Sequence, residues 1–235
     1  MPPLRRGFFN ARIPEASPLS PLRLIDGPAS APATLLLAHG AGAPMDSPFM
    51  NTMASGLAEL GWRVVRFEFP YMAHARQSGQ RRAPDRQPVL LQSWRDQVAV
   101  AAAEGPLLIG GKSMGGRMAT LVLEEQAKAA AVLGCICFGY PFHPPGKPDS
   151  LRIEHLQTLT QPALVVQGTR DSFGRRAEVE AYALSSAVQL HWIPDGDHSF
   201  KPTKRSGLSE QANLQQAIAA ADQFMASFCR DRSGG

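Results

Sequence analysis

The sequence predicts an α/β fold with a mostly parallel central sheet flanked by helices. Two observations predict it. Short β-branched or leucine-rich runs alternate with longer amphipathic ones, the pattern of βαβ units. The segment Leu107-Leu108-Ile109-Gly110-Gly111-Lys112-Ser113-Met114-Gly115-Gly116 sets a serine between glycines where an apolar run gives way to a helix-forming one. At 235 residues the chain suits one large domain with a sizeable core, and nothing marks a boundary, so a single domain over 1–235 is expected.

The elements follow in order. The first clear strand is 34–38, ending in His39-Gly40-Ala41-Gly42, and a helix over 48–60 places Phe49, Met53, Leu57 and Leu60 on one face. A strand over 62–67 precedes an arginine-rich loop bounded by prolines, then a helix over 89–103 with a stripe of Leu91, Trp94, Val98 and Ala102. The serine-bearing strand begins at Leu107; the helix after it carries Met118, Leu121 and Val122 and leads to a strand over 131–138. A loop with Pro141, Pro144, Pro145 and Pro148 holds no long insertion, so no cap domain is expected. Strand 163–167, helix 177–184, strand 189–193 and a terminal helix over 209–228 complete the chain. Residues before Leu22 have no strong pattern; wrapping the domain and adding an edge strand are both open.

Composition narrows the function classes. A hydrophobic share of 44% with 19% charged residues is ordinary globular usage, and the longest apolar run, 129–138, is too short to span a bilayer. The start lacks the apolar core and small-residue cleavage site of a signal peptide, which makes the cytoplasm the expected location. Three cysteines argue against a disulfide framework, and Cys135 and Cys137, pointing the same way from one strand, read as core. The net charge of +4 is spread along the chain, so no nucleic-acid partner is expected. Its densest patch, Arg76, Arg81, Arg82 and Arg86, reads as a solvated loop that leaves contact with an anionic substrate open.

The serine segment has two readings to separate. Gly-Lys-Ser also ends a P-loop, but that motif needs its first glycine where Pro106 stands, and the intervening residues are strand rather than loop. The remaining reading is a nucleophile elbow, a sharp strand-to-helix turn in which residues two before and two after the serine must be small; Gly111 and Gly115 are. An elbow serine has partners in the chain order acid, then histidine, each on a loop after a strand. Asp171, after strand 163–167, is the acid candidate, with helix capping as its alternative role. His198, after the last strand, is the base candidate. His191 lies within a strand, His39 precedes a turn as a structural hydrogen-bonder, and His74, His143 and His155 come too early. Asp195 and Asp197 read as the turn presenting His198 rather than as metal ligands. The amides of Ala41 and Met114 are the oxyanion-hole candidates.

The combination of His39-Gly40-Ala41-Gly42-Ala43-Pro44-Met45-Asp46-Ser47, Gly111-Lys112-Ser113-Met114-Gly115-Gly116-Arg117, Phe138-Gly139-Tyr140-Pro141-Phe142-His143-Pro144-Pro145-Gly146-Lys147, Gly168-Thr169-Arg170-Asp171 and Asp197-His198-Ser199-Phe200 resembles a small α/β-hydrolase group. That group includes the testis-expressed hydrolase-like proteins and hydrolase-like subunits of chromatin-associated NSL complexes. The resemblance covers about residues 34 to 200. It implies a compact, lidless α/β-hydrolase fold whose triad falls on Ser113, Asp171 and His198.

The expected function is cleavage of a small acyl ester through an acyl-enzyme, with a small-molecule substrate, no cofactor, no metal and no membrane partner. A non-catalytic binding or scaffold module is the alternative from another class. Peptidase, thioesterase and dienelactone-type hydrolase are alternatives within enzymes; the last usually has cysteine at the elbow. Activity is expected to rise with pH through about 6.5 to 7.5 as His198 loses its proton. The rims expected around an open site are the Arg76 to Arg86 loop and the Pro141 to Pro148 loop with His143. Oligomeric state is left open.

Overall fold

A computed structural model describes residues 22–230. The irregular segment expected over 1–21 lies outside the described residues. Among the described residues seven strands form one sheet in the order β1-β3-β2-β4-β5-β6-β7. They are β1 Arg23–Asp26, β2 Thr34–Ala38, β3 Arg63–Phe67, β4 Leu107–Lys112, β5 Val132–Phe138, β6 Ala163–Gly168 and β7 Val188–Ile193. All neighbouring pairs are parallel except β1 with β3. β4 lies between β2 and β5 and is buried along its whole length. Its sequence is accordingly a near-continuous apolar run rather than an alternating one, as a strand covered on both faces requires.

Two layers of helices cover the sheet. Successive side chains of a strand point to opposite faces. Leu36, Ala38 and Ile109 therefore join one core cluster with Trp94, Val98 and Met118, from α3 Gln87–Ala101 and α4 Met114–Ala130. Leu35, Leu37 and Leu108 join another with Met53, Leu57, Ala217 and Phe224, from α1 Pro48–Glu59 and α7 Glu210–Arg230. The only helix in the connection from β5 to β6 is the four-residue α5 Glu154–Gln157, so among the described residues this connection forms no cap over the strand ends. α6 is Arg176–Val179, shorter than the helix expected over 177–184.

Further local expectations change. The arginine-rich loop begins as a helix, α2 Pro70–Ser78, started by proline at the first helical position and stopped by Gly79 in the left-handed conformation (φ 71°). The charge density of the segment hid these start and stop signals. On α3 the buried stripe is Leu90, Trp94, Val98 and Ala101, one position round from Leu91 and Ala102. Likewise α1 ends before Leu60, which is exposed. β1 is an added edge strand that pattern alone could not reveal: it has four residues, and its ends are charged. Arg23 donates to Gln97 Oε1 at 2.8 Å, and Asp26 pairs with Arg66 at 2.7 Å.

Trp94 ties the helical layer to the serine turn. Its fully buried ring stands edge-on to Phe67 at 4.9 Å, and Nε1 donates to Gly115 O at 3.3 Å. Trp94→Ala is expected to cost about 3–5 kcal/mol of stability in urea unfolding, the range for emptying a large aromatic site.

Candidate active site

The serine turn is built by exclusion of side chains. Ser113 joins β4 to α4 at φ 52° and ψ −116°, a conformation that non-glycine residues adopt only when their surroundings impose it. A Cβ on Gly111 would stand 2.6 Å from Gly115 C and Gly116 N, and one on Gly115 would stand 2.5 Å from His39 O. Only glycine lets β2, β4 and α4 approach so closely. The Ser113 amide donates to Phe138 O at 3.0 Å, and Arg117 N–H donates to Ser113 O at 2.9 Å, so the turn is anchored on both sides.

The structure brings Ser113, His198 and Asp171 together. His198 Nε2 lies 2.8 Å from Ser113 Oγ, and Nδ1 lies 2.7 Å from Asp171 Oδ2. With Nδ1 donating to the carboxylate, Nε2 is free to accept from the serine hydroxyl. Asp171 is fully buried; Oδ2 also accepts from Gln167 Nε2 at 2.9 Å and Oδ1 from Phe173 N–H at 2.8 Å. Phe173 stacks on the imidazole, with ring centroids 4.2 Å apart. The Asp195 and Asp197 carboxylates are engaged in the loop itself: Asp197 accepts the amides of Ser199 and Lys201, and Asp195 accepts from Thr203 and pairs with Arg170. Among the described residues no group of three His, Cys, Asp or Glu side chains is placed to hold a metal ion.

His39 fixes the turn after β2. Nδ1 donates to Gly40 O at 2.6 Å and Nε2 accepts Phe69 N–H at 3.1 Å, while Tyr71 hydroxyl donates to Ala41 O at 2.9 Å. Ala41 and Met114 border the same cleft as Ser113. Met114 occupies the first turn of α4, where amides have no intrahelical acceptor. The cleft has two lobes that meet at Ser113, Ala41 and Phe173. One, of about 430 Å³, is lined by Pro48, Phe49, Met50 and His198; the other, of about 350 Å³, is lined by Met114, Arg117, Pro141 and Arg152.

Two buried polar residues escaped the sequence reading. Gln167, at the end of apolar β6, holds Asp171 while accepting Tyr140 N–H at 2.7 Å. Lys112, at the end of apolar β4, donates through Nζ to His198 O at 2.5 Å and lies over the Phe49 ring at 5.2 Å. The available signal was the same for both, a polar side chain closing a strand that is otherwise apolar. Burial pushes the Lys112 ammonium down to about 8, against the opposing pull of Asp171 and Asp197. Both expected rims reach the cleft, through Asp85 and Pro141, but the charged groups expected there do not face it. Arg76 is held by Glu68 at 2.7 Å and Asp46 at 2.8 Å, and His143 is buried against Pro144 O and Glu178. Arg81 and Arg82 border a separate hollow beside Ala41 and Tyr71.

The model of the alpha/beta hydrolase domain family matches residues 31–226. The chain belongs to that family. Solved structures share the α/β-hydrolase fold at low identity. An alpha-beta serine hydrolase homologue from Coxiella burnetii is 21% identical, with a TM-score of 0.61 over 84% of this chain and 88% of its own. Est1E from Butyrivibrio proteoclasticus is 14% identical (TM-score 0.63; 87% and 94% covered), and a dienelactone hydrolase from Anabaena variabilis is 20% identical (0.60; 84% and 88%). As in other α/β-hydrolases, the catalytic candidates of this chain lie where strands end and loops begin. No helix among the described residues is long and apolar enough to cross a membrane.

Burial lowers the His198 pKa from 6.5; the Asp171 hydrogen bond opposes this, and the Lys112 charge lowers it further. A lowered pKa keeps the imidazole neutral to lower pH, so the acid limb of a kcat/KM profile is expected below 6.5, not between 6.5 and 7.5. Removing the lysine charge in Lys112→Met is expected to raise the His198 pKa and move that limb to higher pH. Profiles of both proteins on one ester measure the displacement; an unmoved or lowered limb contradicts the electrostatic role of Lys112.

Proposed function

We propose that the protein is a serine hydrolase of small carboxylic esters working through an acyl-enzyme. The observation that carries this reading is the unbroken hydrogen-bonded line from Ser113 Oγ through His198 to buried Asp171. In this mechanism Ser113 Oγ attacks the ester carbonyl while His198 Nε2 takes its proton. Asp171 holds the tautomer and stabilises the imidazolium. The amides of Ala41 and Met114 receive the oxyanion. On collapse the C–O bond to the alcohol breaks and His198 returns the proton to the leaving oxygen. Water, deprotonated by His198, then adds to the acyl-enzyme and releases the acid and Ser113.

The open cleft between loops, with no cap above it among the described residues, supports action on small esters, and the proposed steps call for no cofactor. The elbow and the residues around His39, Phe138 and Asp197 support placing the chain beside the testis-expressed hydrolase-like proteins. Ser113 in place of cysteine at the elbow favours an esterase over a dienelactone-type enzyme.

A fluorophosphonate probe is expected to label the native protein and to leave Ser113→Ala unlabelled; a folded wild type that resists the probe refutes the proposal. Asp171→Asn is expected to lower kcat on a p-nitrophenyl acyl ester by about 10⁴-fold through the wrong tautomer at His198.

A further inference from the structure

The smaller lobe of the cleft carries charge that the proposed mechanism does not use. Arg117 stands one turn of α4 beyond Ser113, about 6 Å along the helix axis, and Arg152 reaches the same lobe from the loop after β5. Among the described residues neither guanidinium has an ion pair within 4.0 Å or a side-chain hydrogen bond, in contrast to Arg63, Arg66, Arg76, Arg95, Arg170 and Arg176. Arg117 Nε is buried and without a hydrogen-bond partner; Arg63 Nε is too, but its guanidinium is neutralised by Glu104 at 2.6 Å, and that of Arg117 has no such carboxylate. A buried donor left unpaired carries a desolvation cost, and a charged one a larger cost, that a bound anion would remove. Asp85 is the one carboxylate on this wall, and its Oδ2 is engaged by Tyr71 N–H at 2.8 Å, at the start of α2.

The electrostatics agree with an unneutralised pair. Burial and then the Arg117 charge lower the pKa of Arg152, and the same two causes push His155 down to about 4.

His198 decides which half of a substrate meets the arginines. It borders the larger, apolar-walled lobe and not the smaller one. Because His198 must hand its proton to the leaving oxygen, the alcohol half belongs in the larger lobe and the acyl half in the smaller. We infer that Arg117 and Arg152 form a carboxylate-binding subsite for the acyl half, so that the substrate is a half-ester of a short dicarboxylic acid. This rests on Ser113 being the nucleophile. Attack at the esterified carbonyl breaks its C–O bond, and hydrolysis releases the alcohol and the free diacid, with water as the only co-reactant.

The test uses binding rather than turnover, so that it stands apart from the labelling of Ser113. Calorimetry with the Ser113→Ala protein compares monomethyl glutarate with dimethyl glutarate. The monoester is expected to bind about tenfold or more tightly, the scale of hydrogen bonds to a charged group. Adding Arg117→Met or Arg152→Met is expected to bring the two ligands to within about threefold, while Arg117→Lys, which keeps the charge and loses the planar fork, retains part of the preference. Equal binding of the two esters to Ser113→Ala, or a preference that survives both methionine substitutions, overturns the inference.

Discussion

Everything at the site depends on the space cleared around one backbone turn. The conformation of Ser113 is unfavourable for any residue with a side chain, and it persists because β4 and α4 are each locked by their own packing on either side of it. Gly111 and Gly115 allow the strand, the helix and the turn after β2 to come within backbone contact. That closeness places Met114 and Ala41 beside the serine. A larger residue at either glycine would separate the layers, and the positions of the hydroxyl and of both amides would change together.

A second constraint is electrostatic. Asp171 is a buried carboxylate whose two oxygens receive three donors, from His198, Gln167 and the Phe173 amide. Such saturation keeps a buried anion affordable and fixes the plane of the imidazole it faces. Lys112 is the nearby buried cation, and it bonds the backbone rather than the ring of His198. The geometry thus holds the histidine from two directions, while the lysine charge disfavours protonation of the ring at rest.

Legibility in the sequence followed the range of the interactions. Strands β2 to β6 could be read because their burial imposes apolar residues, β7 because Val188, Leu190, Trp192 and Ile193 still mark a strand that is only partly buried, and the elbow because its glycines sit at fixed offsets from Ser113. Asp171 and His198 were accessible through chain order and their position just after strands. β1 was not, since four residues with charged ends acquire strand character only through pairing with β3. Gln167 and Lys112 show locally only as polar residues closing apolar strands, and Arg117 shows no local pattern at all. Their meaning lies in what the fold sets opposite them: a carboxylate for Gln167, a loop carbonyl for Lys112, and among the described residues no hydrogen-bond acceptor for the buried Nε of Arg117. α2 was legible in principle through Pro70 and Gly79, and was obscured by the charge between and after them.

The hydrogen bond between Ser113 and His198 joins residues 85 positions apart, and that between His198 and Asp171 joins residues 27 apart. Contacts of such separation carry a loop-closure entropy cost that local contacts do not. During synthesis β4 and α4 emerge before β6 and β7, so Ser113 precedes both residues of the line it joins. The hydrogen-bonded line from Ser113 to Asp171 is therefore complete only once the final strand and the loop after it have docked, so the site is closed by a part of the chain that emerges well after the serine.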